Sequence, residues 1–323
     1  MKRIVALTPG GPDHLTVQDV PVPEPGPGEV LVKLAASGVN FIDAYFRSGL
    51  YKSDLPIVLG SEGAGVVERA AADVTDLRAG DRVVYAMHRG SYAEYAVVPA
   101  RLVAKIPDAV EFATAAAVML QGATAHYLTH STFPLGPAHT CVVHAAAGGA
   151  GGLTVQMAKD RGARVIGTTS TEAKAQEVRA LGADEVIVHE THDFEAEVKR
   201  LTGGRGVDVV YDSVGKTTFD RSLKVIRPRG TMVLFGQSSG PVPPIDLNLL
   251  NQRGSLYVTR PSLAHYLATR EEVQWRADEV FARVVSGALK VRISGTYGLD
   301  NVGDAHRAIE SGKTTGKLVV SLS

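Results

Sequence analysis

A cluster of glycines follows a short apolar stretch near the middle of the chain. Residues 140–145 are apolar and β-branched, which suits one buried strand and is too short for a helix. A helix-like segment, residues 153–159, lies beyond the glycines. The glycines are Gly148, Gly149, Gly151 and Gly152. Small residues let a backbone approach a pyrophosphate, and the start of a helix offers free N–H donors and the positive end of a dipole. The pattern predicts a phosphate-binding turn.

The turn matches the dinucleotide fingerprint G-x-G-x-x-G with one departure. The three fingerprint positions fall on Ala146, Gly148 and Gly151, so alanine replaces the first glycine. Taken alone, the glycines are also compatible with an ordinary flexible turn. The order of predicted strands and helices around them favours dinucleotide binding.

The end of the next predicted strand selects between NADH and NADPH. Dinucleotide sites for NAD place an acid there, against the ribose 2′-hydroxyl, whereas NADP sites omit that charge. Here the strand ends in hydroxyl residues, including Ser170 and Thr171, and Lys174 follows within a turn. A lysine and hydroxyls suit a 2′-phosphate, so we expect NADPH. The alternatives are a solvated Lys174 and hydroxyls that only cap a helix, and Glu172, just beyond the tip, argues the other way.

Composition sets the broad class. The chain has 323 residues, a formal net charge of zero and 45% hydrophobic residues, which is typical of a globular protein of about two domains. Nothing basic enough to predict nucleic-acid binding is present. The apolar run after the N-terminus is too short for a signal peptide, and no run approaches a membrane span. We therefore expect a cytoplasmic protein, with its single cysteine, Cys141, packed in a strand.

The order of predicted elements indicates an α/β protein with two domains. Up to about residue 125, short strands alternate with glycine and proline turns, which is typical of a small barrel-like β domain. After the glycine turn, strands and helices alternate through six β units, the pattern of a doubly wound parallel sheet. In this region we expect a helix over residues 219–226, and towards the C-terminus a strand over residues 290–293. The tail, from about residue 264, is expected to return to the first domain.

Long motifs along the chain resemble those of a known family. They are VPVPEPGPGEVLVK, SGVNFIDAYFRSGLY, LGSEGAGVV, AGDRVVYA, LQGATAHYLT, HAAAGGAGG, VVYDSVG, FGQSSGPV and YVTRPSL. Over essentially its whole length the chain resembles the zinc-free medium-chain dehydrogenases/reductases, specifically the NADPH:quinone oxidoreductases of the zeta-crystallin type. The resemblance implies a GroES-like catalytic domain from residues 1–125 and 264–323 and a six-stranded Rossmann domain from residues 126–263. It also implies NADPH as donor, a quinone as acceptor and a homodimer.

The resemblance also implies individual site residues. Around the nicotinamide it places Asn40, Phe41, Ile42, Asp43, Ala44 and Tyr45, with Tyr51 in the substrate pocket. Elsewhere along the cofactor it places Tyr127, Gly149, Ala150, Ser170, Thr171, Lys174, Ser213, Phe235, Gly236, Gln237, Ser238, Thr259, Arg260 and Pro261. Two positions depart from close relatives: His189 replaces a tyrosine expected against adenine, and Lys313 stands beside the place of a phosphate-binding arginine. Lysine and arginine are not equivalent at such a site.

Zinc chemistry is not expected. The zinc branch of the superfamily has Gly-His-Glu where this chain has Gly60, Ser61 and Glu62, and serine cannot replace that histidine ligand. His126 and His130 lie four residues apart on a predicted helix, which would need further ligands, so packing or surface roles are favoured. We therefore predict that the chain has no metal-binding residues.

Quinone reduction by hydride needs little acid–base machinery, because the acceptor is already electron-poor. The protein must align the two rings and exclude water. The candidate catalytic residues are Asn40, Tyr45 and Tyr51, and either tyrosine could donate a hydrogen bond to the developing quinolate oxygen. The alternative is that these aromatics only pack.

Two other functions stay open at this point. One is an NADPH-dependent reductase of activated alkenes or enones, a chemistry also found among relatives. The other is a non-catalytic NADPH-binding protein, such as the lens-protein or RNA-binding roles of relatives, against which the zero net charge weighs.

Overall fold

The structure, a computed structural model, describes residues 1–322. The chain forms two compact units. The first unit comprises residues 1–123 and 266–323, and the second unit comprises residues 124–265. Each unit is described by itself.

The strands in chain order are β1 Lys2–Ala6, β2 Leu15–Asp19, β3 Glu29–Val39, β4 Ile57–Val58, β5 Glu62–Ala70, β6 Arg82–Ala86, β7 Tyr95–Pro99, β8 Val103–Lys105, β9 Thr140–Val143, β10 Arg164–Thr169, β11 Glu185–Val188, β12 Val207–Asp212, β13 Ile226–Leu234, β14 Tyr257–Thr259, β15 Ile293–Gly298 and β16 Lys317–Ser321.

The α-helices are α1 Phe41–Arg47, α2 Phe112–Tyr127, α3 Gly149–Asp160, α4 Glu172–Ala180, α5 Phe194–Leu201, α6 Phe219–Leu223, α7 Asn248–Gln252, α8 Arg270–Val285 and α9 Val302–Glu310. Short 3₁₀ turns cover Pro12–His14, Ala100–Leu102, Leu263–Tyr266 and Leu299–Asn301, and a π-helical turn covers Leu128–Thr132. No helix within residues 1–322 is both long enough and apolar enough to cross a membrane.

The first unit is built around the long strand β3. A seven-stranded sheet runs β15-β16-β3-β5-β6-β8, with β7 also paired to β3, and a smaller sheet runs β2-β1-β4. The last strand of the chain, β16, pairs antiparallel with β3, where Leu318 lies opposite Val39. Val39 and Leu318 pack with Leu59 and Tyr92 in one buried cluster. Both ends of the chain therefore share one core.

The second unit contains one six-stranded parallel sheet. Its order is β11-β10-β9-β12-β13-β14, which is the 3-2-1-4-5-6 order of the dinucleotide-binding fold. Strand β9 is covered on both faces, and Cys141, Val142 and Val143 are fully buried. That burial explains why its sequence is a continuous apolar run rather than an alternating one. The predicted α/β architecture with a doubly wound six-stranded sheet is confirmed.

The predicted bounds of two elements are wrong. The helix expected over residues 219–226 ends at Leu223, and Ile226 already begins β13. Val225 and Ile226 are β-branched, and the carbonyl of Val225 accepts a hydrogen bond from the N–H of Val207, at 2.8 Å, in the neighbouring strand. The strand expected over residues 290–293 instead runs from Ile293 to Gly298, because pairing with β16 outweighs the low strand propensity of a glycine-containing stretch.

Candidate active site

The glycine turn joins β9 to α3 in the second unit. Strand β9 ends at Val143, and α3 begins at Gly149 after its N-cap residue Gly148. A Cβ atom at Gly151 would collide with the backbone of Ala145, so the helix can approach the turn only with glycine there. The first N–H groups of a helix lack intrahelical partners, and only glycine and alanine surround them here. The donor set of this turn fits a pyrophosphate.

A buried histidine supports the turn from below. His144 is 1% exposed, and its two ring nitrogens lie 2.8 Å from Thr168 Oγ1 and 2.9 Å from Ser222 Oγ. Thr168 belongs to β10 and Ser222 to α6, so one imidazole ties three elements together. Burial lowers the pKa of His144, which keeps the ring neutral and able to both donate and accept.

The tip of β10 carries hydroxyl groups and one paired acid. Thr171 caps α4, with its Oγ1 accepting from the N–H of Lys174 at 3.4 Å. The carboxylate of Glu172 forms an ion pair with Arg179, with Oε1 2.5 Å from a guanidinium nitrogen. The negative charge that argued against NADPH is thus engaged along α4. Lys174 and Ser170 are half-buried at the same tip.

Two loops at the same edge of the sheet are joined at Asp212, whose carbonyl accepts the N–H of Phe235 at 2.8 Å. The Asp212 side chain acts within the first of these loops. Its Oδ1 accepts the N–H of Gly215 at 3.0 Å, which shapes the loop after β12. The carbonyl of Ser213 accepts the N–H of Ser238 at 3.1 Å, which joins that loop to the one after β13. A Cβ at Gly236 would lie 2.7 Å from the Ser213 carbonyl oxygen, so the two loops pack too closely for a side chain there.

In the first unit, aromatic side chains cluster around α1. The rings of Tyr45 and Tyr51 are 5.3 Å apart in an edge-on arrangement, and Phe46 lies 5.6 Å from Tyr51. The N–H of Tyr51 donates to the carbonyl of Tyr45 at 3.0 Å, which folds the loop after α1 back onto the helix. Phe41 extends the cluster from the first turn of α1. The arrangement is a half-buried cluster of aromatic rings packed edge to face.

A directed chain of hydrogen bonds runs beneath α1. Arg47 lies 3.3 Å from Nδ1 of His306, and since arginine can only donate, His306 Nε2–H donates to the Tyr92 hydroxyl at 3.2 Å. The Tyr92 hydroxyl donates to Oδ2 of Asp43 at 3.2 Å, and Ser61 donates to Oδ1 at 2.6 Å. Ser61 is the residue that stands where zinc enzymes have a histidine ligand. Here it binds a carboxylate.

Within this chain of hydrogen bonds, burial raises the pKa of one group and lowers the pKa of another. Burial raises the pKa of Asp43 to about 6, against the lowering effect of the bonds from Ser61 and Tyr92 and the charge of Lys317. Burial and the nearby Arg47 lower the pKa of His306 to about 3. At neutral pH the carboxylate is therefore ionised and the imidazole neutral.

Two protein-family profiles match the chain. The "Alcohol dehydrogenase GroES-like domain" matches residues 26–108, and "Zinc-binding dehydrogenase" matches residues 149–282. A curated quinone oxidoreductase from Pseudomonas aeruginosa is 44% identical over 321 residues, covering 99% of each chain. The chain belongs to the quinone oxidoreductase family. This family falls within the medium-chain dehydrogenases/reductases, as the sequence motifs predicted.

Two further relatives extend the comparison. The crystal structure of Escherichia coli quinone oxidoreductase complexed with NADPH superimposes with a TM-score of 0.97 at 42% identity, covering 99% of this chain and all of that one. A 2-haloacrylate reductase from Burkholderia is 41% identical over 319 residues, covering 96% of each chain. The chain is thus similar both to quinone oxidoreductases and to a reductase named for a different substrate.

In this member of the quinone oxidoreductase family, most predicted cofactor residues of the second unit share one edge of the sheet. Each follows or ends a parallel strand, and the carboxyl ends of parallel strands meet at the same edge. The residues are Gly149, Ala150, Ser170, Thr171, Lys174, His189, Ser213, Phe235, Gly236, Gln237, Ser238, Thr259, Arg260 and Pro261. His189 is exposed directly after β11. Tyr127, at the end of α2, is 1% exposed.

The predicted residues of the first unit divide between two places. Asn40 ends the turn from β3 into α1, and residues 41–45 form the first turns of that helix, with Tyr51 against Tyr45. Lys313 lies apart from them in the chain, exposed in the loop after α9, where its N–H donates to Ser311 Oγ at 3.1 Å.

Sequence reasoning missed the polar residues that hold these segments in place. His144 and Asp212 each stand at the end of an apolar strand, which is a signal that could have found them. His306 and Lys317 lie within an amphipathic helix and a strand, where nothing local distinguishes a buried polar side chain from an exposed one.

The two shifted pKa values predict an unusual acid response. Between its ordinary pKa of 6.5 and about 3, His306 binds fewer protons in the folded state, so its contribution to the free energy of unfolding falls as pH drops below 6.5. Asp43, raised from 3.8 to about 6, binds more protons when folded, so its contribution rises as pH drops below 6. From pH 7 to 4.5, His306→Gln should lose about 2–3 kcal/mol less stability than the wild type, since each pKa unit is worth about 1.4 kcal/mol.

Asp43→Asn should show the opposite change and lose about 2 kcal/mol more than the wild type over the same interval. Urea unfolding at pH 7 and pH 4.5 measures both differences. Parallel pH dependence in the wild type and both variants would contradict the assignment.

Proposed function

We propose that this chain is an NADPH-dependent quinone reductase that works without a metal ion. The observation that carries the proposal is the tip of β10, where the acid Glu172 is paired with Arg179 and Lys174 stands among hydroxyl groups. The proposal assigns catalysis to a domain of residues 1–125 and 264–323 and cofactor binding to residues 126–263. The named activities of the quinone oxidoreductases from Pseudomonas aeruginosa and Escherichia coli support the same substrate class.

The second unit supplies the cofactor contacts. The N–H groups at the start of α3, including those of Gly149 and Ala150, suit the pyrophosphate. Lys174 and the hydroxyls of Ser170 and Thr171 suit the 2′-phosphate, which needs charge-assisted hydrogen bonds. When it is bound, NADPH supplies a hydride, which an electron-poor ring accepts.

The first unit supplies the acceptor surface. The edge-on rings of Tyr45 and Tyr51 form an apolar face that suits a flat quinone, and a tyrosine hydroxyl can donate a hydrogen bond to the oxygen that gains negative charge. Asn40 lies at the start of the same helix, at the point where β3 meets α1. A water-poor aromatic surface favours reduction of the quinone over competing reactions with solvent.

Lys174→Ala should weaken NADPH binding by about 10- to 100-fold and leave NADH binding within about twofold, because only NADPH carries the 2′-phosphate. Fluorescence titration with each cofactor measures the dissociation constants.

Lys199→Ala is the control, because Lys199 is a helix lysine of the same unit that lies on an exposed face of α5, where it pairs with Glu195. Its effect on both cofactors should be negligible. An equal loss of NADPH and NADH affinity in Lys174→Ala would refute the role of that lysine.

The 2-haloacrylate reductase from Burkholderia favours a second candidate, reduction of activated alkenes. Steady-state rates with NADPH, measured side by side on 1,4-benzoquinone and on 2-chloroacrylate, separate the two activities. We expect the specificity constant kcat/KM to be at least tenfold higher for the quinone. The reverse ratio would make the chain an alkene reductase, and tight NADPH binding without turnover of either compound would indicate a non-catalytic role.

The proposal includes a homodimer formed through β14. This strand lies at one edge of the parallel sheet, and its residues Tyr257 and Val258, at 64% and 37% exposure, leave apolar surface there. An exposed apolar edge strand is a template for pairing with another strand, and two-fold pairing of β14 with its copy would continue the sheet. The proposed compartment is the cytoplasm, with which the single buried thiol of Cys141 is compatible.

Val258→Lys should raise the dissociation constant of the dimer at least tenfold, because it places a charge on the pairing strand. Val285→Lys, the same change at an exposed position that ends α8, should leave the dimer intact. Sedimentation equilibrium measures both. A monomeric wild type at micromolar concentration, or equal behaviour of the two variants, would contradict dimerisation through β14.

A further inference from the structure

A lysine is buried at the start of the last strand of the chain. Lys317 is 2% exposed, and its Nζ lies 2.7 Å from Oε2 of Glu62 and 2.6 Å from Oδ1 of Asn40. Glu62, the first residue of β5, is 0% exposed. Burial lowers the pKa of Lys317, and the carboxylate of Glu62 opposes that shift. A buried charge persists only when it is paired and hydrogen-bonded, and both charges here have an ionic partner and further hydrogen bonds.

The pair determines which way round the Asn40 amide lies. Nδ2 of Asn40 donates to Oε2 of Glu62 at 3.0 Å and to the carbonyl of Gly38 at 3.2 Å, while Oδ1 accepts from Lys317. An ammonium group can only donate, and a carboxylate can only accept. A flipped amide would set donor against donor and acceptor against acceptor, so the two charges together allow one orientation.

The rest of the Glu62 carboxylate is also used. Oε1 accepts the backbone N–H of Leu120 in α2 at 2.5 Å. A Cβ atom at Gly38 would collide with the Glu62 carboxylate and with the carbonyl of Ala116, so glycine at this position of β3 leaves the room that the ion pair needs. The carboxylate is fixed by a helix, a strand and a side chain at once.

Asn40 is the residue from which α1 begins. Its carbonyl accepts the N–H of Asp43 at 3.1 Å, and its own N–H donates to Oδ2 of Asp43 at 3.3 Å. Holding Asn40 therefore also holds the first turn of the helix that carries Tyr45. An apolar pair could fill the same volume with equal or greater stability, but it could not orient an amide.

We propose that Lys317 and Glu62 are positioning residues for quinone reduction, which hold the amide of Asn40 and the first turn of α1 in their working orientation. This inference rests on the proposed function, which assigns the acceptor surface to Tyr45 and Tyr51 and places Asn40 at the start of the same helix. Neither charged group touches a substrate in this role. They act through Asn40.

The test compares Lys317→Met with the double variant Glu62→Gln/Lys317→Met. The single variant leaves the Glu62 carboxylate buried without its cation, and the double variant removes both charges while keeping the side-chain lengths. Four quantities are measured: the turnover number with NADPH and 1,4-benzoquinone, the dissociation constant of NADPH, the emission maximum of bound NADPH, and the midpoint of thermal unfolding.

We expect Lys317→Met to lower the turnover number at least tenfold and to lower the unfolding midpoint, with the NADPH dissociation constant changed less than threefold. In the double variant the midpoint should recover, while turnover stays at least tenfold low and the emission maximum of bound NADPH stays shifted from that of the wild type. This separation arises because charge balance restores stability but does not orient the amide. If Lys317→Met does not fold, the double variant alone carries the test.

Lys105→Met is the matched control. Lys105 lies on strand β8 of the same sheet and pairs with Asp81 at 2.9 Å, but its side chain is half exposed. All four quantities should match the wild type in this variant. A double variant with wild-type turnover and emission would overturn the proposal, because charge balance would then be the whole role of the pair.

The proposed function and the positioning role fail in distinguishable ways. A wild type that binds NADPH but reduces no quinone would refute the function. In that case the emission maximum still decides the positioning role: a shift in the double variant supports it, and an unchanged maximum refutes it.

Discussion

The ion pair of Lys317 and Glu62 lies where three strands of the first unit meet the start of α1. Lys317 opens β16, Glu62 opens β5, and Asn40 follows the end of β3. Two opposite charges buried together cost solvation free energy, which is offset only if every remaining donor and acceptor is satisfied. Satisfying them draws the carbonyl of Gly38 and the N–H of Leu120 into one arrangement. Geometry around Asn40 is therefore specified by electrostatics rather than by packing alone.

The same logic governs the second buried network of this unit. This network of hydrogen bonds begins at the guanidinium of Arg47, which can only donate, and runs through His306 and Tyr92. It ends at the ionised carboxylate of Asp43, which can only accept. Every proton between them is thereby assigned. Both networks end within the stretch 40–43, so the first turn of α1 is held from two sides.

Local pattern accounts for most of the fold that could be predicted. The six parallel strands have apolar, β-branched sequences, and Gly148 and Gly151 mark the turn from strand to helix. Each strand of this sheet can therefore be predicted from its local sequence alone. Local sequence predicts an element wrongly where pairing with a neighbouring strand determines the structure. Ile226, for example, belongs to a strand because it pairs with Val207. Lys317 and Glu62 are 255 residues apart in sequence. No periodicity in either segment predicts their contact, which forms because β16 and β5 both pair with β3.

The tip of β10 shows why a residue's type is an incomplete guide to its electrostatic effect. From the sequence alone, Glu172 is the acid that an NAD site would use. In the folded chain its carboxylate pairs with Arg179, seven residues further along the chain and about two helical turns away. Both side chains are substantially exposed, so the pair contributes little to stability, but it changes the field at the strand tip. The guanidinium of Arg179 offsets the charge of Glu172 at the strand tip, so the acid opposes a phosphate there less than its residue type alone suggests.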